Sequence, residues 1–269
     1  MSEGGSLKTP SEGQQIPIYT FVTDDEKYAG MRRAFQEAGF GPDQATFIRL
    51  ENHGRATDPE PYSTITKLIE TVSEPYFILC HQDVRPDCGH GLPDLERAIE
   101  ELNRRDGTWA VAGNAGGSHK LKMVRSLTDP HGGPSIDTLP ARVQSLDENF
   151  LVIRSGTGVA CSDALSGFHF YGSDICLSAR QKGRSAYVIP FRMRHLSGGT
   201  RDASYVSCRD RFVARWSEVF GARYLRTPTE VVFLGSLPLR STLGAQRVRR
   251  ALKNRRVLGN AVGAVLARD

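Results

Sequence analysis

Tyr76-Phe77-Ile78-Leu79-Cys80-His81-Gln82-Asp83-Val84-Arg85-Pro86 is the stretch whose reading decides the fold. An apolar run stops at three polar side chains, and a proline follows. The run is too short for a buried helix, and its aromatic and branched residues suit a strand buried on both faces. His81, Gln82 and Asp83 then stand where that strand leaves its sheet. In open α/β sheets this C-terminal edge is where ligands bind. Asp83 placed there can hold a hard divalent cation, and such a cation can hold phosphates.

Upstream, residues 16–22 read as a first buried strand. Thr23 or Asp24 can cap a helix that starts near Glu26, carries Tyr28, Met31, Phe35 and Ala38, and stops at Gly39. A second strand, residues 45–50, ends at Glu51-Asn52. A polar loop follows, then a helix with Ile65, Leu68, Ile69 and Val72 at helical spacing. The order β-α-β-α-β is that of a parallel sheet with right-handed crossovers.

Downstream, a helix is expected over residues 93–103 and a strand over 109–113. Gly113-Asn114-Ala115-Gly116-Gly117 follows, too far from the first strand and wrongly spaced for a dinucleotide fingerprint. Residues 118–140 are rich in turn formers, and such long irregular insertions are usually functional or mobile. A strand over 150–153 is preceded by Asp147-Glu148. Asp174 opens a short helix to about 180 that Gly183 ends. A strand over 186–191 leads to His195-Leu196-Ser197-Gly198-Gly199. A last helix of the domain, 203–220, is expected to bury Val206, Phe212, Val213, Trp216 and Phe220.

Composition is that of a soluble globular protein: 269 residues, 39% hydrophobic and 24% charged. No apolar stretch is long enough to span a bilayer. Residues 1–15 lack an apolar signal core and read as a disordered leader on a cytoplasmic protein. Residues 16–222 read as one α/β domain, and residues 223–269 as a C-terminal extension with a basic helix. The net charge is +5, and six cations (Arg247, Arg249, Arg250, Lys253, Arg255 and Arg256) lie within ten residues of that extension. The body of the chain is therefore near neutral. The basic segment can be a solvated face or a peripheral contact with an anionic membrane. It lacks the aromatic interleaving of a nucleic-acid site, so no nucleic acid is expected. The five cysteines form no C-x-x-C pair and read as reduced, mostly buried thiols. Cys80, His81, Cys88 and His90 fit no common zinc spacing, and Cys80 and His81 point to opposite strand faces.

The chain resembles the family 2-like glycosyltransferases of GT-A fold, in particular a bacterial subgroup with His-Gln-Asp-Val in place of Asp-x-Asp. Five segments carry the resemblance in order, over about residues 16–200. They are Val22-Thr23-Asp24-Asp25-Glu26-Lys27-Tyr28, His81-Gln82-Asp83-Val84, Ser145-Leu146-Asp147-Glu148 with Phe150-Leu151-Val152-Ile153, Phe168-His169-Phe170-Tyr171-Gly172-Ser173-Asp174, and His195-Leu196-Ser197-Gly198-Gly199. The resemblance implies a mostly parallel, Rossmann-like sheet flanked by helices. It also implies an inverting transfer of a sugar from a nucleotide diphosphate sugar, UDP-linked by expectation, to a hydroxyl. The acceptor would be a glycan, a lipid-linked or a small molecule in bacterial polysaccharide or glycoconjugate synthesis.

Carried onto this chain, Asp174 would be the catalytic base. Asp83 and His195 would hold Mn²⁺ or Mg²⁺ on the diphosphate. Val22, Thr23, Asp24, Glu51, Asn52, His81, Gln82, Gly113 and Asn114 would line the donor site with Asp83, and His169 and Tyr171 would face the acceptor. Two other readings stand beside this one. A sugar nucleotidyltransferase would need a Gly-rich, basic loop after the first strand, where Thr23-Asp24-Asp25-Glu26 is acidic. A non-catalytic nucleotide-binding or scaffold protein would keep the fold and bind a nucleotide or a partner chain.

Overall fold

The computed structural model describes residues 14–135, 138–199 and 201–235. The expected leader and the basic helix therefore lie outside the described residues, save for Gln14 and Gln15.

The first half runs β1 (Ile16–Val22), α1 (Asp25–Glu37), β2 (Ala45–Glu51), α2 (Pro61–Thr71), β3 (Tyr76–Cys80), β4 (Val84–Pro86), α3 (Leu92–Arg105), β5 (Trp109–Gly113). Short strands follow: β6 (Ala115–Gly117), β7 (Met123–Arg125), β8 (Leu127–Thr128), β9 (Ala141–Val143) and β10 (Ser145–Leu146). The chain continues through β11 (Phe150–Arg154), α4 (Tyr171–Gln181), β12 (Ser185–Val188), β13 (Met193–His195), α5 (Ala203–Phe220), β14 (Arg223–Arg226) and β15 (Val231–Leu234).

A seven-stranded sheet is ordered β2-β1-β3-β11-β5-β12-β9. Its strands β2, β1, β3, β5 and β12 run parallel, while β11 and β9 run against their neighbours. The α/β architecture with a mostly parallel sheet is thus as the sequence predicts. Every residue of β3 is buried. Phe77 and Leu79 enter the core shared with α2, α4 and α5, and Tyr76, Ile78 and Cys80 enter the core shared with α1 and α3. The period-2 alternation of a strand forces this division, and each large apolar side chain so buried contributes roughly 1.5–3 kcal/mol.

Local signals set the helix ends. Asp24 caps α1 by accepting from the backbone N–H groups of Glu26 and Lys27 at 3.0 Å each. Glu60 caps α2 through Ser63 N–H. Asp202 caps α5 through Ser204 and Tyr205. Helix α4 starts three residues earlier than expected, after Phe170 in a left-handed conformation with φ 71°. Asp174 is therefore inside the first turn. Val206 is 42% exposed, contrary to expectation, whereas Phe212 and Trp216 of the same helix are buried.

The expected boundary at residue 222 falls within one packed unit. The antiparallel pair β14 and β15 places Leu225, Val231, Val232 and Leu234 in the main core. Ser145 Oγ donates to the carbonyl of Arg226 at 2.6 Å. A Cβ on Gly117 would lie 2.0 Å from the same carbonyl oxygen, so the ribbon's approach requires glycine there. The turn-rich stretch between β6 and β9 is also built in: β7 joins β6, and β8 joins β13. All five cysteines are free thiols, four of them buried.

Candidate active site

The sheet's C-terminal edge collects the polar ends of its parallel strands. His81, Gln82 and Asp83 leave β3 there. Because β11 runs antiparallel, its beginning arrives at the same edge, with Phe150 opposite Cys80. The amide of His81 donates to Asn149 at 2.9 Å. Asp147 and Glu148 are thereby brought beside the β3 motif. A small sheet does the rest: β13 pairs with β4 so that His195 lies opposite Val84.

His195 Nε2 lies 3.3 Å from Asp83 Oδ1. The rings of His81 and His195 are 5.5 Å apart, edge to face. One ligand atom each from His81, Asp83 and His195 falls within 4.8 Å of the others. Two imidazole nitrogens and one carboxylate oxygen fit Mn²⁺ better than Mg²⁺, which prefers oxygen alone. His81 thus lies beside the two ligands expected from sequence, and the three together could hold an ion. No other such group of three occurs among the described residues, and the Cys80-His81-Cys88-His90 spacing makes no site.

Electrostatics of the trio are coupled. Burial disfavours the charge on Asp83, but His195, Ser197 and His81 outweigh it and hold the carboxyl well below the usual carboxylate range. Burial likewise opposes the charge on His195, yet Asp83 raises its pKa. Burial, followed by the charge on His195, lowers that of His81. Asp83 and His195 thus reinforce each other's charged forms, while burial disfavours the charged form of His81, whose Nε2 lies 3.3 Å from the Tyr171 hydroxyl.

These side chains open onto a cleft of about 670 Å³. Its walls hold Thr23, His81, Asp83, Asp147, Glu148, His169 and His195. Arg125, Arg201 and Arg226 also line it, as do the aromatic rings of Phe168, Phe170 and Tyr205. His131, from the turn-rich stretch, lies 2.9 Å from the carbonyl of Gly198 and ties that stretch to the loop after β13.

Of the residues expected from sequence, Thr23, His81, Asp83, His169 and His195 line the cleft. The rest do not. Asp174 is fully buried. Its carboxylate accepts from Ser162 N at 2.7 Å, Ser162 Oγ at 2.8 Å and Trp216 Nε1 at 2.8 Å. It faces the junction of α4 and α5 and cannot meet a hydroxyl in the cleft. Gln82 is a latch: its Oε1 accepts from the amides of Thr23 and Asp24, and its Nε2 donates to Thr23 Oγ1 at 2.7 Å. Asp24 is occupied as the cap of α1.

Glu51 pairs with Arg49 at 2.7 Å and with His53 at 2.9 Å on the exposed end of β2. The Asn52 amide donates to the carbonyl of Val22, which is itself buried. Gly113 is buried where a Cβ would meet the carbonyl of Phe150 at 2.9 Å. Asn114 is buried and donates to Asn149 at 2.7 Å. Tyr171 is buried, with only its hydroxyl directed to His81. The sequence reading missed Glu148 as a cleft group, together with the three arginines, His131 and Tyr205. Asp147-Glu148 sits before a strand, and only the strand's direction tells which edge that is.

Fold and site together define an α/β protein with a candidate cation site at the C-terminal edge of its sheet, heading a deep mixed-charge cleft. The chain is 32% identical over 225 residues to the "ATP synthase subunits region ORF 6" protein of Fuscovulum blasticum, covering 81% of this chain and 90% of that protein. The chain belongs to the same family as that protein. No family model matches it. Among solved structures it is similar to A197 from STIV, with a TM-score of 0.42 and 10% identity, over 83% of this chain and 96% of that one. It is also similar to GalNAc-T7, whose crystal structure contains UDP, GalNAc and Mn²⁺, with a TM-score of 0.46 and 7% identity. That match covers 71% of this chain and 46% of GalNAc-T7. Neither likeness is close enough to bear on the chemistry of the cleft. Among the described residues no helix is long and apolar enough to cross a membrane.

Proposed function

We propose that this chain is a glycosyltransferase of GT-A type that moves a sugar from a nucleoside diphosphate sugar to a hydroxyl acceptor. The observation that carries the reading is the His81, Asp83 and His195 cluster at the head of the cleft, at the sheet edge where α/β folds bind ligands. His81, Asp83 and His195 would hold a divalent cation, and that cation supplies charge neutralisation to a departing diphosphate. Arg125 is paired with Asp129 at 2.7 Å; Arg201 and Arg226 line the same cleft and suit phosphate oxygens. Phe168, 43% exposed, and His169 offer an aromatic face to an acceptor sugar.

A second reading, a non-catalytic nucleotide-binding or scaffold protein, is favoured by the burial of Asp174 away from the cleft. Calorimetric titration with UDP, GDP and CDP, with and without Mn²⁺, tests whether the chain binds a nucleotide. Binding of at least one diphosphate that strengthens with Mn²⁺ is expected. Absence of binding in every condition would remove the glycosyltransferase and leave a scaffold without a nucleotide. Hydrolysis or transfer from the matching nucleotide sugar then separates an enzyme from a scaffold.

A further inference from the structure

Four carboxyl groups line the cleft among the described residues: Asp83, Asp129, Asp147 and Glu148. Three are engaged. Asp83 faces His195. Asp129 pairs with Arg125. Asp147 Oδ1 accepts from the amide of Asn149 at 3.0 Å and from its side-chain Nδ2 at 2.6 Å. Glu148 is partly exposed and lines the cleft, and among the described residues its carboxylate makes no ion pair; backbone N–H groups, its own and those of Phe170 and Gly172 at the start of α4, favour its charge, and the charge of Asp147 opposes it.

We propose that Glu148 is the group that takes the proton from the acceptor hydroxyl. The inference rests on the sugar-transfer reading above and supplies the base that Asp174 cannot be. Two features of the surroundings fit the role. The N–H groups of Phe170 and Gly172 favour the charged carboxylate without contributing a mobile proton or a full charge. Burial, and then the charge of Asp147 beside it, push Glu148 up to about 8, against the pull of those N–H groups. The groups facing it from the neighbouring elements are Tyr62 of α2 and Tyr171 and Cys176 of α4, whose own pKa values its charge helps to raise. A raised pKa makes the ionised carboxylate a stronger proton acceptor.

The step balances within the cleft. The acceptor oxygen forms its bond to the anomeric carbon as the bond from that carbon to the diphosphate oxygen breaks. The bonding pair leaves with the diphosphate. The hydroxyl proton moves to an oxygen of Glu148, which returns it to solvent after product release.

The test uses the full chain, with UDP, GDP and CDP in the presence of Mn²⁺ as binding probes. Hydrolysis of the corresponding nucleotide sugars, with water as acceptor, measures turnover. Glu148→Gln is expected to lower kcat by about 100-fold or more while leaving the Kd for the diphosphate within about twofold. Glu148→Asp should recover part of the loss. The acid limb of the wild-type kcat profile should vanish in Glu148→Gln. Turnover within about threefold of wild type in Glu148→Gln would overturn the assignment. If the wild type binds but does not hydrolyse, or if Glu148→Gln fails to fold, a carbon-13 titration of wild-type carboxyl groups with bound diphosphate and Mg²⁺ decides. A Glu148 midpoint well above the ordinary glutamate range supports the base, and an ordinary midpoint removes it. Failure of every diphosphate to bind the wild type removes the sugar-transfer reading, and the assignment falls with it.

Discussion

Trp216 donates its indole N–H to Oδ1 of Asp174 at 2.8 Å, and both side chains are buried. The bond links α5 to the first turn of α4, across 42 residues of sequence. Asp174 is thus a fastener between two helices. Burial pushes its carboxyl from 3.8 up to about 6, against the pull of Ser162 and Trp216.

A pH dependence of stability follows. Below about 3.8 Asp174 is protonated in both folded and unfolded chains. Between 3.8 and about 6 the unfolded chain releases its proton first, so stability falls as pH rises and levels off above the folded value. The loss amounts to about 3 kcal/mol. Asp174→Asn should flatten urea-unfolding free energies across this window, where the wild type shows the decline. Trp216→Phe should cost roughly 1.5–3 kcal/mol by removing a hydrogen bond to a charged group. An unchanged pH slope in Asp174→Asn would refute the assignment.

Gln82 bridges the ends of β1 and β3 by three hydrogen bonds to Thr23 and Asp24. Gln82→Ala should destabilise the chain by about 1–2 kcal/mol. It should also speed hydrogen exchange at the amides of Thr23 and Asp24. Protection unchanged at those two amides would show that the latch is dispensable.

The cation site predicts a graded response without any turnover. Asp83→Ala should abolish Mn²⁺ binding, followed by electron paramagnetic resonance of the free ion. His81→Ala and His195→Ala should each weaken it by roughly tenfold or more, since loss even of outer partners costs 10- to 100-fold. Wild-type affinity in all three variants would place the cation elsewhere.

Gly117 tests whether the β14 and β15 ribbon belongs to the domain. Its missing side chain admits the carbonyl of Arg226, which a Cβ would meet at 2.0 Å. Gly117→Ala should cost about 1–3 kcal/mol or more, because the obstructing atom is backbone. The melting temperature should fall, and proteolysis should enter between residues 223 and 235. An unaltered melting temperature would mean that the ribbon docks independently of that contact.

Much of this arrangement is legible in the sequence where the signal is local. The β3 stretch shows its double burial because every residue is apolar, and its polar end follows directly. His195 is visible as the polar end of another strand. What escapes is long-range. Asp174 resembles a free acid at a helix start until Trp216, 42 positions away, is brought against it. Glu148 escapes because nothing local tells that β11 runs antiparallel, and direction alone decides which end of a strand faces the ligand edge. Glu51 and Asp24 sit at strand ends as expected, yet each finds a structural partner nearby.

The most direct test of the account is a crystal structure soaked with UDP and Mn²⁺, with anomalous scattering used to locate the metal. The account predicts an Mn²⁺ peak among His81 Nε2 or Nδ1, Asp83 and His195, with the diphosphate extending into the cleft lined by Arg201 and Arg226. Metal or nucleotide bound anywhere else, or a cleft empty at saturating ligand, would contradict it.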